Sequence, residues 1–141
     1  MTTNELAICS LEQSKRLRAA GFNWPTISYW DTTVNIRLRY HDKPIDHNND
    51  AQYAKEEWEM YYISAPTIQH ALKWFRDVKA IIPIIHVGKK NNKNVYGVSY
   101  IIVKEDNHVS VAGWFDTYEE ADSFVLTELL TLIKKENGQT N

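Results

Sequence analysis

Residues 64–87, SAPTIQHALKWFRDVKAIIPIIHV, set an amphipathic helix directly before an apolar run. Ile68, Ala71, Leu72, Phe75 and Val78 recur at i, i+3, i+4 and i+7, the stripe by which an amphipathic helix faces a sheet. Thr67 stands where an N-cap belongs. Gln69, Lys73, Arg76 and Asp77 fall on the opposite side of the helix. A short break then leads into Ile81–Val87, a run so apolar that it predicts a central strand covered on both faces.

Outward from this pair, the polar stretch Gly88–Asn94 reads as a hairpin loop. Val95–Lys104 and Val109–Phe115 read as two further strands joined at Glu105–His108, so the last three strands predict a meander. Thr117-Tyr118-Glu119-Glu120 has the form of a capping box and opens a helix to about Lys135. On the other side, Glu57–Ile63 (EWEMYYI) reads as a strand and His41–Lys55 as a loop rich in Asp, Asn and His. Val34, Ile36, Leu38 and Tyr40 alternate with Asn35, Arg37 and Arg39, the period-2 pattern of a half-buried strand, and Ile27–Asp31 precedes it. A second capping box, Ser10 with Gln13, starts a short helix that Gly21 ends. The expected fold is α+β in the order α-β-β-β-α-β-β-β-α. It is one domain over 1–141, with three helices largely on one face of a mostly antiparallel sheet of five to six strands. Residues 1–8 and 136–141 are expected to fray.

At 141 residues the chain can bury a core without staples, and 43% apolar with 24% charged residues is ordinary for a globular protein. The single cysteine, Cys9, excludes an internal disulfide and suits a reducing compartment. The N-terminus shows no basic and apolar signal segment, and no run nears the length of a membrane span. A cytoplasmic location with no membrane partner is therefore expected. The net charge of −2 does not by itself point to nucleic acid. Residues 63–104, however, carry seven basic side chains and one acidic, whereas 105–141 carry eight acidic and two basic.

Three stretches together, CSLEQSKRLRAAGFNWP (9–25), SAPTIQHALKWFRDVKAI (64–81) and GWFDTYEEADSFVLTELL (113–130), resemble short uncharacterised proteins of Bacteroidales genomes and their phages and mobile elements. The resemblance implies an accessory protein of unknown activity. The shared residues are caps and core stripes, so it supplies no catalytic residue.

Few residues group in a way that carries chemistry. His41, Asp42, Asp46, His47 and Asp50 are metal-ligand types, but their spacing fits no established site, and short polar side chains in a loop bond their own turns. No metal and no cofactor is expected. Cys9 lies before a helix start, where its thiolate would be favoured, yet it has no adjacent base. The glycines form no phosphate-binding loop, so an enzyme has no support in the sequence.

Two binding readings remain. Trp24, Tyr29, Trp30, Trp58, Tyr61, Tyr62 and Trp74 exceed what one modest core needs, which favours an interaction protein with an aromatic-rich surface. The alternative is a nucleic-acid-binding accessory protein. It would use Arg37 and Arg39, the Lys89–Lys93 loop, and Tyr29, Trp30 and Tyr40 as stacking platforms. The candidate binding residues are thus Trp24, Tyr29, Trp30, Arg37, Arg39 and Tyr40. In the last helix, Tyr118, Ala121, Val125, Leu129 and Leu132 form one stripe, and Leu126, Leu130 and Ile133 spill past it. Those three predict a homodimer, because a single sheet contact would leave them in water. The rival cover is the N-terminal segment with Leu6 and Ile8.

Overall fold

The computed structural model describes residues 7–33, 35–49 and 62–136. Among these, three helices and six strands follow one another in the expected α+β order. The strands do not make one sheet of five or six. They divide into two antiparallel sheets of three, within two compact units, residues 1–67 and 68–141.

In the first unit, α1 (Leu11–Ala19) is fixed at both ends by its sequence. Ser10 Oγ accepts from the Gln13 backbone N–H, and the Gln13 side chain accepts from the Ser10 N–H, the reciprocal box read from the sequence. At the other end Gly21 takes φ +98°, which lets its N–H reach Arg18 O and lets the Phe22 N–H reach Leu17 O. Leu17 and Phe22 are both buried, the apolar contact that accompanies such a cap. Strands β1 (Thr26–Asp31), β2 (Arg37–Ile45) and β3 (Tyr62–Ser64) pair in the order β2-β1-β3, and α1 packs on β3. Ile63 and Cys9 complete this core.

Two expectations for this unit are corrected. His41–Ile45, read as loop, continues β2, and a shift of register between Thr26 and Ser28 absorbs its extra residues. As an outer strand, β2 can hold Pro44 near its end. The alternation of Ile36, Leu38 and Tyr40 does not create a buried face either, since Ile36 and Tyr40 are exposed. Val34, residues 57–61 of the expected third strand, and the remainder of the 41–55 loop beyond Asn49 lie outside the described residues.

In the second unit, α2 (Ile68–Val78) leads into β4 (Ile81–Lys90), β5 (Lys93–Ile102), β6 (Asn107–Phe115) and α3 (Tyr118–Glu136). The three strands form the predicted meander, with β5 in the middle. Strand β4 is consequently an outer strand and not the central one. Pro83 is the residue that forbids a central place, because it has no N–H for a second ladder. The helix stripe is confirmed at Ile68, Ala71, Leu72 and Phe75, all buried. Val78, the last helical residue, is exposed, and Trp74 is buried in addition. Trp74 meets Phe75 edge-on at 5.1 Å, and the Lys79 ammonium lies 5.4 Å from its ring.

The apolar girth of α3 is taken up without a partner chain. Leu126, Leu130 and Ile133 are buried within the chain, as are Ala121, Val125 and Leu129. The helix packs on all three strands and also against α2, so two neighbours cover what one sheet contact could not. The reason given for a homodimer through Leu126, Leu130 and Ile133 is thereby removed. Leu6 of the rival N-terminal cover lies outside the described residues, and Ile8 forms a bridge to Thr67.

One carboxylate on α3 is buried. Asp122 accepts a hydrogen bond from Gln69 Nε2 of α2. Burial pushes its carboxyl up to about 6, against the effect of the Gln69 bond and with the help of the Glu119 charge. An unfolded Asp titrates at about 3.9, so the native state holds its proton longer and stability falls as pH rises from about 4 to about 6. Asp122→Asn keeps the shape and cannot ionise. It is expected to raise stability by up to about 2–3 kcal/mol at neutral pH and to flatten that slope, as read by urea unfolding at several pH values.

Candidate functional site

The residues favoured by sequence do not assemble on one surface. Cross-strand partners share a face, and Asp31 lies opposite Arg37 while Tyr29 lies opposite Arg39. Trp30 and Tyr40 point to the other face, opposite Leu38 and Ser28. Trp24 is half-buried against Phe22, with ring centroids 6.5 Å apart. The Trp30 indole N–H donates to the Cys9 carbonyl at 3.0 Å, and Tyr29 is buried. Of the expected aromatic residues, Tyr40 alone is largely exposed among the described residues, Tyr62 is half-buried, and Trp74 is core. Trp58 and Tyr61 lie outside the described residues.

The two arginines have a structural task. Asp31 is 1% exposed, and Arg39 Nη1 stands 3.2 Å and Arg37 Nε 3.8 Å from its Oδ2. The Thr33 hydroxyl and N–H both donate to Oδ1, at 2.6 and 3.0 Å. Burial alone would raise this carboxyl. The Thr33 bonds, the Arg39 bond and the Arg37 charge outweigh it and hold the group below the usual Asp range. The stability this contributes is therefore present above about pH 4 and lost as pH falls through the lower folded value. Asp31→Asn is expected to cost about 1–3 kcal/mol at neutral pH, and the gap to wild type should close on acidification when thermal unfolding is followed.

Of the candidate metal ligands, His41, Asp46 and His47 make other contacts. His47 is buried and stacks on Tyr29 at 4.5 Å, and His41 joins the same ring cluster at 5.5 Å from His47. Asp46 accepts from the Asn48 and Asn49 backbone N–H groups, closing the turn that composition implied. Asn48 then ties the unit together, donating to Phe22 O and accepting from the Ser64 N–H. Among the described residues, no three His, Cys, Asp or Glu side chains form a metal-binding group, and Asp50 lies outside them. Burial pushes the Cys9 thiol up to about 12, which removes its thiolate at neutral pH.

The surface with unassigned chemistry is the outer face of the β4-β5-β6 sheet. Register places Ile82, Ile84, His86, Gly88 and Lys90 of β4 on one face with Ile101, Ser99, Gly97, Val95 and Lys93 of β5. The other face carries Pro83, Ile85, Val98 and Tyr100 and is the one toward α3, where Phe115 meets Phe124 and Tyr96 meets Tyr118. A register shift between Tyr96 and Val98, at Gly113 with φ +117°, turns Trp114 onto the outer face. Its six-membered ring lies over two glycines. A Cβ at Gly88 would stand 3.1 Å from Cζ3, and one at Gly97 would stand equally close. The indole is nonetheless 60% exposed, so one π-face rests on the sheet and the other is open.

Groups of hydrogen-bonding and cationic character flank this ring. Ser99 Oγ sits 2.7 Å from His86 Nε2 and 3.1 Å from His108 Nε2, bridging all three strands. At the other end Lys90 and Lys93 are direct cross-strand partners beside Asn91 and Asn92, which take φ 51° and 63°. That two-residue turn replaces the longer loop expected over 88–94. Like charges placed directly opposite destabilise a hairpin, so the lysine pair is at odds with its own fold. The lysines were included in the nucleic-acid reading; Trp114, His86, Ser99 and His108 were not. Gly88 and Gly97 inside strand patterns were the available signal, since such glycines mark close approach of another group.

Among the described residues, no helix is long and apolar enough to cross a membrane. No protein-family model, curated protein or solved structure matches this chain.

Proposed function

We propose that the outer face of the β4-β5-β6 sheet binds single-stranded nucleic acid, with one base stacked on Trp114 and the adjoining phosphates on Lys90 and Lys93. The observation that carries this reading is the Trp114 ring, held flat on Gly88 and Gly97 with its second face open beside a lysine pair. Bases of every kind offer a π-face, so such a platform is tolerant of sequence, and two cations suit a short phosphate track. His86 and His108, both exposed and held on the buried Ser99 hydroxyl, supply hydrogen-bonding groups for a base edge or sugar next to the platform. The reading keeps the lysines of the sequence-based alternative and replaces its arginines, which are bound to Asp31.

A serine between two histidines also invites a hydrolytic reading. Ser99, however, lies in the middle strand, where its neighbouring backbone N–H groups are spent on β4 and β6. The residue is also only 1% exposed, whereas acyl transfer requires an accessible nucleophile beside an oxyanion hole. Binding is the better account.

Titrating the isotopically labelled chain with a short oligothymidylate tests the location. Amide shifts are expected at Gly88, Lys90, Lys93 and Gly97, with a shift of the Trp114 indole N–H. Shifts confined to β2 around Arg37 and Arg39 would move the site to the first unit and refute this assignment.

A further inference from the structure

We infer that the helical side of the same sheet carries a second, separate site, a cavity between α2, β4 and α3 that takes a small organic acid with a flat apolar body and an N–H donor at its far end. The cavity is about 450 Å³, within the range of small-molecule sites. Gln69, Leu72, Lys73 and Arg76 line it from one face of α2, at i, i+3, i+4 and i+7. Tyr118 and Asp122, four apart on α3, form the facing wall. Pro83 and Ile85 give an apolar floor on the face of β4 opposite Gly88, so this site lies on the other side of the sheet from Trp114.

The charged lining groups differ in exposure, with Asp122 buried and Lys73 and Arg76 exposed. Lys73 and Arg76 are exposed at the mouth and favour an anion there. Arg76 Nε meets Asp77 at 3.3 Å, but both side chains are about half exposed and such a pair is weak, so a ligand carboxylate competes for the guanidinium. Asp122, buried at the inner end, has its Oδ2 bound by Gln69, which leaves Oδ1 to accept. Oδ1 of a carboxylate accepts, so a ligand N–H is the group that matches it. Leu72, Pro83, Ile85 and the half-exposed Tyr118 ring suit an apolar plane between the two ends.

The probe is 4-aminobenzoate, compared with benzoate, which lacks the donor, and aniline, which lacks the acid. Each is titrated into the labelled full chain at neutral pH. Saturable shifts are expected at Gln69, Leu72, Arg76, Ile85 and Tyr118, with 4-aminobenzoate binding about tenfold or more tighter than either analogue. Asp122→Asn, which keeps one acceptor oxygen but loses the charge, should reduce the advantage over benzoate, and the surface substitution Arg76→Ala should remove the advantage over aniline. Benzoate equal to 4-aminobenzoate, unaffected by Asp122→Asn, would overturn the donor end of the site. Absence of saturable shifts at millimolar probe would overturn the site altogether. Oligonucleotide binding at Trp114 is expected to be untouched by Arg76→Ala, so the two sites stand or fall separately.

Discussion

Trp114→Ala is expected to weaken binding of a single-stranded oligonucleotide by about 5- to 150-fold, the equivalent of the ~1–3 kcal/mol that one base–aromatic stack contributes. The expectation rests on geometry. The indole does not fill a core; it lies across two glycines, and 60% of it remains exposed. Truncation therefore removes the platform and uncovers a strip of backbone without opening a cavity. Unfolding should shift far less than binding. Trp114→Tyr, which restores a flat ring, should recover most of the affinity, and Gly97→Val, which lifts the ring off the sheet, should lose much of it. Fluorescence anisotropy of a labelled oligonucleotide reads all three. Equal affinity of wild type and Trp114→Ala would show that the ring only covers its glycines.

Phe75→Ala is expected to lower unfolding free energy by about 3–5 kcal/mol, a large share of the ~5–15 kcal/mol typical of a domain. Phe75 is 0% exposed in the middle of α2 and meets the Trp74 ring edge-on. Its loss removes transfer energy and leaves a cavity at a helix that packs against β4 and α3. The denaturant midpoint should fall with little change in slope. An unchanged midpoint would mean that this stripe of α2 faces water.

Local signals survived in the structure wherever the physics was local. The Ser10–Gln13 box, the Gly21 cap and the α2 stripe each depend on residues within a turn or two, and they stand as read except for Val78 at the helix end. Strand placement depends on partners far along the chain, and there the reading slipped. The apolarity of Ile81–Val87 points to a central strand, whereas Pro83 within it fits an outer one. Leu126, Leu130 and Ile133 looked unpartnered because one covering surface was assumed, and α2 provides a second. The candidate site was legible only in part. Lys90 and Lys93 could be picked out as cations, but nothing local reveals that a bulge at Gly113 brings Trp114 over Gly88 and Gly97. The pairing of Arg37 and Arg39 with Asp31 is hidden for the same reason, since Asp31 faces them only once the strands pair.

The most direct test of the outer sheet face as a nucleic-acid surface is the salt dependence of oligonucleotide binding by the wild-type chain. With two lysines on the phosphates, the logarithm of the binding constant should fall with the logarithm of salt concentration at a slope of about −1.4, from roughly −0.7 per phosphate on a single strand. Lys90→Ala with Lys93→Ala should bring that slope close to zero while the stacking contribution of Trp114 persists. Saturable binding with the shallow negative slope, flattened in the double variant, is the expected result. No saturable binding at low salt, or a slope that the double variant leaves unchanged, would contradict it.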